Sequence, residues 1–280
     1  MIDISKFNFG VKFDVKEALK SAIVTESEEI KNSTPLLQIL DGNNKVTVCT
    51  RGNISAIIGK AKSRKTFFIT MLTVVLILGR LFNKFISPQQ KKYKIVFFDT
   101  EQGRGRAQKV LKRIMRMVNS SKNIDMLSLR PYSTSERISI IEEYFETKKP
   151  DFAVIDGIRD LIRDFNNLEQ STELITLLLR ISEMHDCHLC CILHVNKVDN
   201  NARGHIGSEL INKAESVIIL SMEKGSNFTT VEADYMRDGG FEPFQFTVID
   251  HLPVVCGFEE ELFENNDKNL DANKEFDSPF

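Results

Sequence analysis

The sequence predicts an α/β protein built on a doubly wound, mostly parallel sheet, with antiparallel hairpin strands toward the C-terminal end. Three observations carry this reading. Between residues 46 and 220, short continuous apolar runs alternate with longer segments of helical periodicity, the pattern of strands buried on both faces and their crossover helices. The apolar run 54–58 enters a polar loop, Gly59-Lys60-Ala61-Lys62-Ser63-Arg64-Lys65-Thr66, which opens onto a long apolar stretch. The runs 94–99 and 152–156 both end in aspartate, and in open parallel sheets ligands bind beyond the carboxyl ends of the strands.

Taken in order, residues 1–45 are of mixed polarity, with a weak helical pattern near 15–23 and turn signals at Ser33-Thr34-Pro35 and Asp41-Gly42-Asn43-Asn44. They read as an N-terminal arm or lid on the core. The core spans 46–258. Its expected parallel strands are 46–49, 54–58, 94–99, 126–129, 152–156, 189–194 and 216–220, and its expected helices 65–82, 106–118, 135–147, 169–185 and 208–214. After Leu220 the texture changes: 228–235 and 243–250 read as antiparallel strands joined through Asp238-Gly239-Gly240. Residues 259–280 have no apolar periodicity and read as a disordered acidic tail.

The formal net charge of −2 hides an asymmetry, because the tail alone carries eight acidic and two basic side chains. The remaining body is mildly basic, which suits a nucleic-acid partner without demanding one. Five cysteines with no secretory signal before them point to reduced thiols in a cytoplasm. The apolar stretch after Thr66 falls short of the ~20 residues that span a bilayer. It reads as a buried helix, with no membrane partner.

The 59–66 loop fits Gly-x-x-x-x-Gly-Lys-[Ser/Thr] at every fixed position except Arg64, which stands where the second glycine belongs. In such a loop backbone N–H groups wrap a phosphate at a helix N-terminus. Lys65 then reaches the β/γ-phosphates of ATP and Thr66 holds Mg²⁺. Glu101, just past the strand that ends at Asp99, is placed to polarise an attacking water; Asp99 or Thr100 alternatively only caps a helix. Asp156 has the form of a second Mg²⁺-holding carboxylate, and His194, ending the 189–194 strand, could hydrogen-bond a γ-phosphate. Beyond it, the stretch 196–208 holds Lys197, Arg203 and His205 among glycines, a candidate grip on phosphodiester backbone. On the helix after Glu101, Lys109, Lys112, Arg113 and Arg116 form one charged side, a solvated face before it is anything else. His185, Cys187, His188, Cys190 and Cys191 look metal-like, but they run through a buried strand where alternate side chains point apart.

Together these motifs resemble the RecA-like P-loop ATPases, and within them the branch of hexameric replicative helicases and related plasmid-replication helicases. Ala202-Arg203-Gly204-His205-Ile206-Gly207-Ser208 is similar to that branch's DNA-loop element, and Tyr235-Met236-Arg237-Asp238-Gly239 to its Lys-x-Arg-Asn-Gly element. The resemblance covers roughly residues 46–256. It implies an ATP- and Mg²⁺-binding motor or switch acting on DNA, single-stranded by preference, in replication or mobilisation of plasmid-like or other mobile DNA, and assembling as a ring or filament. The alternative is a nucleotide-gated DNA-binding or regulatory protein with little hydrolysis, which Arg64 favours. Carried over residue by residue, Lys65 and Thr66 bind phosphate and Mg²⁺, Glu101 is the catalytic carboxylate, Asp156 the second metal residue and His194 the sensor. Arg237 is an arginine finger for the neighbouring subunit, and Arg159 and Arg163 are secondary DNA contacts. Arg64 and Tyr235 depart from the pattern. The terminal Asp277-Ser278-Pro279-Phe280 resembles the partner-recruiting tip of bacterial single-stranded-DNA-binding proteins, although a plain solubilising tail explains it as well.

Overall fold

The central strand of the molecule is the run before the glycine loop. In the computed structural model, which describes residues 14–29, 33–89, 91–119, 123–195 and 204–258, this strand is β3 (Ile54–Gly59) and every residue in it is buried. Parallel neighbours flank it on both sides: β9 (His188–His194) pairs Gly59 with His194, and β10 (Ser216–Ser221) pairs Gly59 with Leu220. Outward from β9 follow β8 (Phe152–Asp156), β6 (Ile95–Asp99) and β7 (Ile124–Ser128), all parallel. Outward from β10 follow β11 (Thr229–Met236), β12 (Phe244–Ile249) and β13 (Leu252–Val255), each antiparallel to the last. The nine-stranded order is therefore β13-β12-β11-β10-β3-β9-β8-β6-β7.

Strand alternation divides the core into two layers. Ile54, Ala56 and Ile58 of β3 face α4 (Thr134–Lys148), α5 (Leu168–Met184) and α6 (Gly204–Lys213), with Ile138, Leu174, Ile175 and Leu210 in the same apolar cluster. Ile57 faces α2 (Lys65–Leu78) and α3 (Arg104–Val118), with Phe68, Leu72, Val110 and Ile114. The His/Cys run obeys the same rule: Cys187 and Cys191 belong to the first cluster, Cys190 to the second, and all three are buried free thiols.

Helix α2 stops at Leu78, short of the expected Phe82. Gly79 turns left-handed at φ 83° and its N–H caps Val75 O, which ends a helix. The apolar residues beyond it form a short hairpin, β4 (Arg80–Leu81) and β5 (Phe85–Ile86), that joins β1 (Pro35–Asp41) and β2 (Asn44–Thr50) in a second sheet ordered β2-β1-β5-β4. The domain boundary expected at residue 45 falls inside the β1–β2 hairpin, which is packed into the α2 layer through Leu36, Leu37 and Val48. Ahead of it, α1 (Val15–Ala22) buries none of its residues. No helix among the described residues is long and apolar enough to cross a membrane. The acidic tail lies outside the described residues.

Candidate active site

The loop Gly59–Thr66 leaves the carboxyl end of β3 and re-enters the fold as the first turn of α2. Gly59 admits no side chain: a Cβ there would lie 2.4 Å from Leu220 O and 2.6 Å from Ser63 Oγ. Arg64 stands at φ 62°, ψ 28°, in the left-handed region where the motif has glycine, and Lys62 also has positive φ, 69°. The arginine therefore keeps the glycine conformation, at a cost of roughly 1–2 kcal/mol. Its guanidinium turns out of the loop and donates to Asn227 O at 2.6 Å, fastening the loop to the β10–β11 connection. Lys60, Ala61, Lys62 and Thr66 complete the turn, and Ser63 Oγ is buried with no hydrogen-bond partner.

Lys65 is only 6% exposed. Its ammonium donates to Gly59 O at 2.8 Å, Lys60 O at 3.0 Å and His194 Nδ1 at 3.1 Å. Burial lowers its pKa to about 8 against the pull of Asp156 and Glu101. Because Nδ1 accepts from an ammonium, the proton of the His194 ring sits on Nε2, which donates to Glu101 Oε2 at 3.2 Å. Lysine, histidine and glutamate thus form one hydrogen-bonded chain across the mouth of three strands. The bond to His194 holds the Glu101 carboxyl below its usual range, burial opposing.

Asp156 ends β8 in register with Asp99 of β6. Burial, then the charges of Asp99 and Glu101, push its pKa up to about 7. A hard cation beside this carboxylate and the Thr66 hydroxyl would supply the missing positive charge, and the all-oxygen donor pair suits Mg²⁺. Asp99 caps neither α3 nor another helix. It accepts from the N–H groups of Gln102 at 2.7 Å and Glu101 at 3.2 Å, fixing the turn that carries Glu101. Thr100 Oγ1 donates to Asp156 O and Gly157 O, so the two carboxylate-bearing strand ends are tied together.

A cleft of about 530 Å³ collects Ala61, Lys62, Ser63, Arg64, Lys65, Thr66, Glu101, Asp156 and His194. Its outer wall is α3, with Arg106, Lys109, Val110 and Arg113. The charged side expected on this helix is divided: Lys109 and Arg113 face the cleft, Arg116 pairs with Asp250, and Lys112 is exposed. Arg113 lies 3.6 Å over the Phe67 ring. Its Nη1 is buried without a hydrogen-bond partner, and burial lowers its pKa to about 10. Periodicity could not find this wall, because it says which residues share a side and not what the side faces. The one available signal was that the helix starts immediately after Glu101.

The other expected residues lie apart from the cleft. Arg159 stacks on Phe165 at 3.9 Å, and Phe165 packs against Gly204 at the start of α6, beside exposed His205. Arg163 is exposed in the same connection. These three form a basic rim; Lys197 and Arg203 lie outside the described residues. Arg237 sits at the opposite edge of the sheet. Its N–H donates to Glu215 O, and β11 ends beside Ser216, which pairs with Ser55. That row is four residues back from the Leu220–Gly59 row, on the order of 13 Å along the strand, so Arg237 does not reach its own cleft.

A family model described as the AAA domain matches residues 24–200. The chain belongs to the AAA domain family. No curated protein matches it. Among solved structures, the ATPase domain of a helicase superposes with a TM-score of 0.53 at 13% identity, covering 72% of this chain and 83% of that one. At that identity the likeness speaks for the fold, and the fold is that of a RecA-like P-loop ATPase. The parallel strands, the glycine loop after β3 and the acid-ended β6 and β8 of this AAA-family chain are the features expected from its sequence.

Proposed function

We propose that the chain binds ATP with Mg²⁺ and hydrolyses it as a motor or switch acting on DNA, assembled head to tail as a ring or filament. One observation carries the reading: Lys65, Glu101, Asp156 and His194 come from four different strand ends and meet in one cleft, two of them in a single hydrogen-bonded chain with the lysine. When bound, Mg²⁺ neutralises charge developing on the transferred phosphoryl group. Lys65 exchanges the carbonyls of Gly59 and Lys60 for β- and γ-phosphate oxygens. The loop amides and the α2 N-terminus receive the phosphates. Thr66 and Asp156 hold the metal, and Glu101 orients the attacking water. His194, released from Lys65, reports the γ-phosphate to the stretch beyond β9. There Lys197, Arg203 and His205, with Arg159 and Arg163 on the neighbouring rim, meet nucleic-acid phosphates. Arg237 completes the site of an adjacent copy.

The setting that fits is cytoplasmic, in replication or mobilisation of plasmid-like DNA, by analogy of fold alone. The test is turnover in Lys65→Ala and Arg237→Ala. Each should lose about 100-fold or more in ATP hydrolysis while circular dichroism and melting remain those of the parent. Retained turnover in both would falsify the assigned roles. ATP binding without turnover in the parent protein, with DNA affinity that depends on ATP, would instead establish the switch that Arg64 suggests.

A further inference from the structure

The cleft holds more positive charge than a nucleotide needs. Lys62, Arg64, Lys65, Arg106, Lys109 and Arg113 line it against the carboxylates of Glu101 and Asp156 alone. A magnesium-bound triphosphate resting on the loop cancels only part of that surplus, and it lies against the loop wall rather than along α3. On the α3 wall Arg113 has a buried Nη1 with no partner. No carboxylate among the described residues forms an ion pair with Arg106, Lys109 or Arg113. Desolvated cations are costly unless a counter-charge arrives.

A matching surface lies at the other end of the same chain. Residues 232–242 carry Glu232, Asp234, Asp238 and Glu242 against the single cation Arg237. β12 pairs only with Thr229, Thr230 and Val231, so no strand among the described residues covers the outer edge of 233–236. Asp234, Arg237 and Asp238 are exposed, and Tyr235 is 59% exposed. An uncovered strand edge bearing an exposed aromatic is a surface built to be paired. Arg237 entering a cleft with surplus positive charge meets repulsion; flanking carboxylates reverse the sign of the approach.

We propose that the acidic end of β11 docks on the α3 wall of a second copy of this chain, with Asp234 and Asp238 pairing with that copy's Arg106, Lys109 and Arg113. This rests on the reading of Arg237 as a residue acting on an adjacent copy's site. The two faces lie at opposite edges of the sheet, so the contact is head to tail and repeats from copy to copy.

Charge exchange tests it. One full-length variant carries Arg106→Glu and Lys109→Glu, the other Asp234→Lys and Asp238→Lys, and assembly with Mg²⁺ and a non-hydrolysable ATP analogue is followed by sedimentation. Each variant alone should remain monomeric where the parent assembles. An equimolar mixture should assemble, because the reversed cleft then meets the reversed strand end and the unaltered cleft meets the unaltered one. Should a double variant fail to fold, Lys109→Glu and Asp238→Lys are mixed in the same way. The interface is overturned if either variant assembles alone like the parent, if the mixture stays monomeric, or if the parent itself never assembles. The rise in the parent's melting temperature with Mg²⁺ and ATP is read separately: its absence sinks the nucleotide reading, whereas its presence beside an unrescued mixture sinks only the interface.

Discussion

At the scale of a residue, Arg64 decides whether the loop can serve. A side chain at φ 62° costs energy, yet the loop keeps the path that glycine would give it, with the guanidinium carried outward to Asn227 O. Arg64→Gly removes the left-handed strain but loosens the unfolded chain and loses the tether, effects of about 1 kcal/mol each and opposite in sign. We expect its stability to stay within about 1 kcal/mol of the parent, with ATP binding retained. Arg64→Val places a β-branched residue where φ must be positive, and should lose about 1–3 kcal/mol by denaturant titration together with ATP affinity. Equal stability in the two variants would mean that the loop does not need the left-handed turn. The sequence showed the departure at this position. Its tolerance was not legible there, because it depends on a connection more than 160 residues away.

At the scale of elements, the β1–β2 hairpin is joined to the main sheet through a buried polar knot. Glu215 accepts from Thr50 N and Oγ1 at 2.6 Å each, His188 Nδ1 donates to Thr50 O at 2.8 Å, and Ser55 Oγ bonds His188 Nε2 at 2.8 Å. Burial raises Glu215 to about 7 and lowers His188 to about 4. A carboxyl raised in the fold binds its proton more tightly there than in the unfolded chain. Its contribution is therefore full below the unfolded value of 4.5 and is lost as pH rises through about 7. His188 works oppositely: its contribution is full above 6.5 and is lost as pH falls toward 4. Glu215→Gln removes the first effect alone. Its stability relative to the parent should therefore climb between pH 4.5 and 7, by on the order of 1–3 kcal/mol, and a flat difference would show that Glu215 does not titrate in that range. None of this knot was legible in the sequence, since Thr50, Ser55, His188 and Glu215 meet only after four strands have aligned. The parallel strands were legible because burial on both faces leaves continuous apolar runs. The pairs β4 and β5 were not, because two-residue strands of Arg80, Leu81, Phe85 and Ile86 cannot be told from the end of an apolar helix until Gly79 turns it.

At the scale of the whole molecule, the catalytic cleft and Arg237 occupy opposite edges of one sheet, so a single copy cannot bring them together. The acid-ended strands and the glycine loop were readable one by one; the separation of Arg237 from them followed only from the antiparallel return of β11 beside β10. That separation makes complementation measurable. Lys65→Ala spoils the cleft of the copy that carries it and leaves its Arg237 intact, whereas Arg237→Ala spoils what a copy offers its neighbour and leaves its own cleft intact. In a randomly mixed equimolar assembly, a site works when an intact cleft from one variant faces an intact Arg237 from the other. About one site in four meets that condition in a head-to-tail ring or filament. Turnover per site should therefore recover to about a quarter of the parent's from two variants that are each inactive, provided that sites fire independently. Recovery that rises as the mixture approaches equal proportions and falls again on either side would support a finger supplied between copies. Turnover that stays at the level of the separate variants at every ratio would place Arg237 outside the catalytic site of any copy.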